Sequence, residues 1–361
     1  MYEQGGDLPK WPLGVGYTGG MVGTSADIVL ADAALKGLTD FDWEAAYAGA
    51  RLHATGPRPN AGRGGIESYL ERGYVASDVS GASVSRTVEF AHDDAALARF
   101  AALLGEHEDA AVFEARSRSY QNLFHPELQF LVGRDSQGAW ALDGFTPTEW
   151  LGVYAEGDAW QYTWSAPHDP DGLADMFGSR DAALAKLREY FELSLAHLNN
   201  KYGNSINPFE YYWHSNEPSL PNTYLFAALG RPDETQRWVR WALAQHYGTG
   251  PDGLPGNDDG GTMSAWYILS AAGLYPIPGT QRFYVGSPLF ERVELDLGAG
   301  AGARVPLTII AEGASEQRMY IASATLDGAP LDVPWVEWED IQDGATLRLE
   351  MVDAPTDWAR F

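Results

Sequence analysis

Cysteine is absent from the 361 residues, which excludes disulfides, thiolate zinc sites and cysteine nucleophiles. Lysine is scarce, with four residues, and the formal net charge is −26. Such a balance argues against a nucleic-acid partner or an anionic membrane surface and leaves neutral or cationic partners open. A habitat that favours acidic proteins explains the charge equally well. No apolar run reaches the length of a membrane span, and no signal peptide follows Met1. The Asn-x-Ser/Thr acceptor pattern is missing too. What is present is an ordinary globular balance, 45% hydrophobic and 20% charged, in a chain long enough for one large domain or two smaller ones. Eight of the thirteen tryptophans lie between Trp140 and Trp266, among carboxylates and Gly-rich loops. Flat rings there suit the apolar face of a pyranose, and core packing would also place several of them.

Residues 1–23 are rich in Gly and Pro and read as a loop. Thr24 and Asp42 stand where N-caps are expected for SADIVLADAALKG and WEAAYAGARLHA. Residues 83–104 predict two helices broken near His92-Asp93-Asp94, and 109–124 predict another. An irregular, Trp-rich stretch runs from Asn122 to Trp164. Helices are then expected near 173–178, 181–198, 219–229, 233–247 and 262–273, with Asp233-Glu-Thr-Gln236 resembling a capping box. Helices of this length, joined by alternating short and long loops, suggest stacked helical hairpins without a fixed-period repeat. Near Gly279 the pattern turns to alternating apolar and polar residues, as in RVELDL and ATLRLEMV, which reads as antiparallel strands. The expected division is therefore 1–279, helical, and 280–361, a small antiparallel β tail.

Two acids stand out. Glu156, in YAEGDAWQYTW, is surrounded in sequence by Tyr154, Trp160, Tyr162 and Trp164. A carboxyl enclosed by rings loses hydration and stays protonated, as a general acid must. Asp259, in PGNDDGGT, sits in a flexible polar loop before a helix that Thr262 is expected to cap, where it should stay ionised and could act as a base. Opposed environments of this kind define the carboxyl pair of glycoside hydrolysis. Spacing alone fits solvated or cap-forming acids as well. In WHSNEPS, Asn216 and Glu217 are hard oxygen ligands that suit calcium better than zinc, and His214 is a donor for a sugar hydroxyl. The plainer reading is a helix-start turn capped by Ser219 with His214 at the surface. His168-Asp169 reads as a satisfied turn, and Asp27, Asp78 and Asp93-Asp94 belong to no motif.

Three blocks, YAEGDAWQYTW-APHD, HSNEPS-YLF-LGRP-TQRWVR and PDGLPGNDDGGTMSAWY-GLYPIPG-YVGSP, together resemble glycoside hydrolase family 92, the calcium-dependent inverting α-mannosidases. Weaker matches such as LPKW-GYTGGMVG and SVSRTVEFAHDD extend the resemblance over nearly the whole chain in order. The resemblance implies an (α/α)6 barrel, here lacking its N-terminal part, with a tail that would pair with an N-terminal β-sandwich. It implies exo-hydrolysis of α-linked, α-1,2 in particular, mannose from glycans, with Glu156 as acid, Asp259 as base and Ca2+ held by Asn216 and Glu217. Trp160, His214, Asn257 and Asp258 become candidate substrate-binding residues. Where many family members carry a His pair this chain has Leu220-Pro221, which leaves the leaving-group sugar open. Family members act outside the cytoplasm, in secreted or periplasmic form. The other reading of the same motifs is a shortened glycan-binding remnant without turnover. The oligomeric state is left open.

Overall fold

The computed structural model describes residues 1–14, 16–38, 40–58, 62–196, 210–297 and 305–361. They divide into two compact units: Met1–His197 with Glu210–Tyr212 and Pro278–Thr280, and Trp213–Ile277 with Gln281–Phe361.

The first unit is built on one long helix, Ser83–Leu104, against which Ser25–Leu35, Trp43–Thr55 and His107–Arg116 pack. Its inner face carries Val84, Val88, Phe90, Leu97 and Phe100, all fully buried. The break expected at Asp93-Asp94 does not occur; the helix is continuous for 22 residues. Two aspartates in a helix interior are normally unfavourable because their side chains compete for backbone donors and want water. Here they are buried against cations. Arg63 donates to Asp94 (2.5 Å), and Arg116 donates to both Asp94 oxygens at 2.7 and 2.8 Å. Thr24 donates from its backbone and hydroxyl to Asp93 at 3.0 and 2.8 Å. Asp27 joins from the neighbouring helix through Arg63 (3.4 Å) and His53 (3.0 Å). Burial pushes Asp93 up to about 6, with Arg63 opposing it. The three aspartates that seemed to have no role are thus one buried network.

Caps follow the sequence in part. Asp42 accepts from Ala45 N at 3.0 Å, as expected. Thr24 precedes its helix, but its hydroxyl goes to Asp27 and Asp93 instead of capping. Asp169 caps Pro170–Met176 through Gly172 N, and His168 is half-buried, stacked on His92.

In the second unit, Asn222–Ala228 and Pro232–His246 pack together, with Thr262–Ala272 against the latter. Leu220, Tyr224, Val239, Ala242, Met263 and Trp266 form their core. The capping box expected at 233–236 is not formed: Pro232 opens the helix, and Asp233 accepts from Arg231 and Arg360. Strands then form a three-stranded sheet, in order Trp335–Glu337, Arg282–Val285, Leu274–Pro276. A five-stranded sheet follows, in order Ala329–Pro330, Tyr320–Leu326, Ala345–Val352, Leu307–Glu312, Arg292–Leu295. In Ala345–Val352, Ala345, Leu347, Leu349 and Met351 point into the core and alternate with less buried residues, the period-two signature of a half-buried strand. The chain is therefore mainly helical with a small β tail. Among the described strands the pairing is antiparallel except where Ala345–Val352 runs parallel to Leu307–Glu312. No helix among the described residues is long and apolar enough to cross a membrane.

Candidate active site

Glu156 and Trp160 lie in the first unit; His214, Asn216, Glu217, Asn257, Asp258 and Asp259 lie in the second. The loop leading to Glu156 is laid onto the N-terminal turn of Ser83–Leu104. Ala82 N donates to Gly152 O (2.7 Å), Val84 N to Val153 O (2.9 Å), and the Ser85 hydroxyl accepts from Ala155 N (2.8 Å). The Ala155 carbonyl accepts from Tyr162 OH at 2.6 Å. Both polar groups of the residue before Glu156 are thereby fixed. After it, Gly157 has no room for a side chain: an added Cβ would lie 2.7 Å from Gln161 Oε1 and 2.9 Å from the Tyr162 ring. Asp158 then caps the short helix Ala159–Thr163 in a capping box with Gln161.

Between these anchors Glu156 adopts φ 47°, the left-handed region, and is exposed. A non-glycine residue there costs about 1–3 kcal/mol and persists only where its surroundings fix it. The dehydration expected for Glu156 falls instead on Asp158, whose carboxyl is pushed up to about 8 by burial. Nearby rings belong to the core: Trp160 is buried, stacked on Tyr190 (6.0 Å) and edge-on to Phe130 and Tyr211, with the Lys186 ammonium 4.1 Å over its face.

Asp259 shares the geometry, with φ 46°, and is also exposed. Gly260 and Gly261 follow at φ 74° and 106°, making three successive left-handed residues. Asp258 holds this turn. Its carboxylate accepts from Ser264 N (2.9 Å) and Ser264 Oγ (3.0 Å), and its carbonyl accepts from Thr262 N (2.7 Å) and Gly261 N (3.1 Å). Capping of the following helix is thus the work of Asp258; Thr262, expected to cap, turns its hydroxyl back to the Asp259 carbonyl at 3.0 Å. The Asp259 carboxylate meets no hydrogen-bond donor among the described residues. Asn257, two residues earlier, is exposed.

His214 is 1% exposed and not at the surface. Its Nε2 lies 2.9 Å from Tyr247 OH, which itself donates to Met263 O at 3.1 Å. A phenol with one proton, given to a carbonyl, must accept from the imidazole, so His214 is the Nε2–H tautomer. Burial, and then His246 stacked 5.0 Å away, hold its pKa well below the usual histidine value. Asn216 is buried at the head of the 3-10 turn Glu217–Ser219, and Glu217 is exposed. In the same segment the Ser215 hydroxyl, both amide atoms of Asn222 and the Thr223 hydroxyl are buried and have no hydrogen-bond partner among the described residues. Among the described residues no group of three or more His, Cys, Asp or Glu side chains gathers as a metal site. The oxygen set available here is an amide-rich one with a single carboxylate.

Sequence reading missed Arg63, Asp158 and the role of Asp258. The first had a signal: Asp27 and Asp93-Asp94 fall within apolar helical stretches, where uncompensated carboxylates are untenable.

The family model for the glycosyl hydrolase family 92 catalytic domain matches residues 1–353, and the chain belongs to that family. An uncharacterized secreted glycosidase of Arthroderma benhamiae is 26% identical over 394 residues, covering 99% of this chain and 48% of that protein. An inverting mannosidase of the family from Bacteroides thetaiotaomicron is 31% identical with TM-score 0.88, over 99% of this chain and 49% of that one. A second α-mannosidase of that bacterium, solved in complex with mannoimidazole, is 33% identical with TM-score 0.88, over 97% and 46%. The chain spans about half the length of these relatives.

Proposed function

We propose that the chain supplies the acid and base of an exo-acting α-mannosidase that removes α-1,2-linked mannose from glycans with inversion. Family membership supports glycoside hydrolysis, and the mannosidase relatives support the sugar. The observation that carries the residue assignment is the backbone. Glu156 and Asp259 are exposed carboxyls in the left-handed region, each beside residues that are hydrogen-bonded in place, whereas the other exposed acid there, Asp327, accepts from Thr346 N in a strand-connecting turn. Strain of that sort concentrates where side chains must be aimed at a ligand.

In this reading Glu156 donates its proton to the glycosidic oxygen as the bond to the anomeric carbon breaks. Asp259 takes a proton from the water that attacks the opposite face. Its carboxylate, with no donor competing for it among the described residues, is available for that water. Asp258, Asn257, His214 and Trp160 serve the substrate site, Asp258 by holding the loop and His214 by holding its helix through Tyr247. Asn216 and Glu217 would hold Ca2+, and the unpaired Asn222 amide oxygen in the same segment fits a hard-oxygen donor set. Calcium, when bound, would grip vicinal hydroxyls and help distort the ring. Residues 1–279 would then belong to an (α/α)6 barrel and 280–361 to a segment pairing with a β-sandwich. Action outside the cytoplasm follows the secreted relative.

Hydrolysis of α-1,2-mannobiose, followed by proton NMR, tests the reading. β-Mannose should appear first, and a chelator should abolish turnover. First-formed α-mannose would overturn inversion, and full activity in chelator would remove the metal. In a substrate complex, the two carboxyls should lie ~6.5–9.5 Å apart; a separation near 5 Å would indicate retention.

A further inference from the structure

Within the first unit a cavity of about 320 Å³ opens beside the helix turn that carries the Glu156 loop, lined among others by Lys10, Met21, Arg63, Gly64, Glu67 and Arg86. Its size is at the low end of small-ligand pockets, which run about 300–1,000 Å³, and suits one sugar ring. Arg86 directly follows Ser85, the residue that holds Ala155 and so positions Glu156.

The Arg86 guanidinium spends only Nε, on Gly81 O at 3.0 Å. Its two terminal nitrogens meet no acceptor among the described residues, although the group is half-buried. Burial lowers the pKa of Arg86, and burial followed by the charge of Arg86 lowers that of Lys10. The terminal nitrogens reach the open cavity, so the fork is available to acceptors from a ligand. Gly64 makes the space: a Cβ there would lie 2.5 Å from Arg86 Nη1. Arg63 offers nothing further, being committed to Asp27 and Asp94. On the rim, Glu67 adds a carboxylate acceptor, and Met21 has φ 60°.

We infer that this cavity binds a neutral hexopyranose, with Arg86 donating to vicinal hydroxyl oxygens and Glu67 accepting from a hydroxyl proton. The mixed lining decides the ligand class. Lys10, Arg58 and Arg63 are committed to Gly62 O, Asp7 and Asp94, which leaves Arg86 as donor and Glu67 as acceptor, and hydroxyls, which both donate and accept, use both where an oxyanion would use the donor alone. The inference rests on the proposed glycoside hydrolysis and makes Arg86 a substrate-binding residue for the sugar that Glu156 serves.

Turnover and binding are measured separately, as mannobiose hydrolysis and as mannose titration followed by saturation-transfer NMR. Arg86→Met should raise KM and weaken mannose binding about 10- to 100-fold while leaving the pH profile of kcat unmoved. Arg86→Lys should recover part of the loss. Gly64→Ala, which keeps every charge but displaces the guanidinium, should weaken binding to a smaller degree. A folded Arg86→Met with unchanged KM and mannose binding sinks the inference and leaves the hydrolysis standing. A wild-type protein that binds mannose through Arg86 yet cleaves no α-mannoside reverses that outcome. Mannose 6-phosphate or mannuronate bound at Arg86 more than about tenfold tighter than mannose would make this an anion site and overturn the neutral-sugar assignment.

Discussion

Glu156 and Asp259 share one backbone conformation, φ 47° and 46°, but their loops hold it by different means. Around Asp259 nearly everything is local. Two glycines follow at once, and Asp258, the preceding residue, ties the turn to Ser264, six positions on. Around Glu156 the support is remote. Residues 152–155 are fixed by the turn 82–85, some seventy positions earlier, and that turn begins a helix seated on the Arg63 network. A local device is carried wherever its sequence goes, whereas a remote one depends on the whole unit being folded.

The largest effects should come from the acids themselves. Glu156→Gln and Asp259→Asn should each lower kcat by about 10²–10⁴-fold, the range expected for a lost general acid or base. Because both side chains are exposed, the melting temperature should hardly move. A variant that keeps wild-type turnover in steady-state assays would take that role away from its residue.

Next in size, Arg63→Met should expose the remote support. It leaves Asp27, Asp93 and Asp94 buried with a cation removed, a change that costs roughly 3–5 kcal/mol. Hydrogen exchange should rise across residues 82–104 and 152–158 and stay unchanged in 258–264. Equal loosening of both loops would erase the contrast.

The same contrast explains what could be read in the sequence. GNDDGGT announces a left-handed turn before a helix because its glycines are adjacent, and the helix 262–272 matches the expected 262–273 closely. EGDAWQY announces a carboxyl among rings, but the rings are committed to one another, as Trp160 is to Tyr190 and Phe130. The carboxyl they enclose is Asp158. Which of two acids two residues apart faces inward is set by the left-handed turn at Glu156, and no propensity encodes that. Asp93-Asp94 misled in the same way: a helix break is the correct local reading, overridden by Arg63 and Arg116 from elsewhere in the chain. Strand alternation in the tail was legible, while the parallel pairing of Ala345–Val352 with Leu307–Glu312, a long-range choice, was not.

Asp158 supplies a pH test of the Glu156 side. Its folded value of about 8 lies above the unfolded value near 3.9, so the folded state binds the extra proton between those limits. Its contribution is fully present below about pH 4 and is lost as pH rises through 8, for a total on the order of a few kcal/mol. Asp158→Asn keeps the acceptor for Gln161 N and should flatten that decline in urea titrations between pH 5 and 9. His246 acts oppositely in the second unit. Burial holds it down to about 4, so its share of stability is lost as pH falls from roughly 6.5 toward 4. An unchanged slope for Asp158→Asn would mean that its carboxyl is not dehydrated in solution.

The smallest effects pair one glycine from each loop. At Gly260 an added Cβ would meet nothing within 4 Å, so Gly260→Ala incurs only the left-handed backbone penalty, about 1–2 kcal/mol. At Gly157 no positive φ is involved, but the Cβ would strike Gln161 Oε1 and the Tyr162 ring, at an overpacking cost of about 1–3 kcal/mol. Thermal denaturation should therefore rank Gly157→Ala at or below Gly260→Ala in stability. The stronger discriminator is repair. Gly260→Asn, with a residue that tolerates the left-handed region, should recover much of the loss, because the fault lies in φ alone. For Gly157→Ala, recovery should come from trimming the partner, with Tyr162→Leu in the same chain, although that removes the bond to Ala155 and so loosens Glu156. Stability regained with activity lost at Gly157, against both regained at Gly260, is the outcome required if the remotely held Glu156 and the locally held Asp259 have the proposed roles of acid and base.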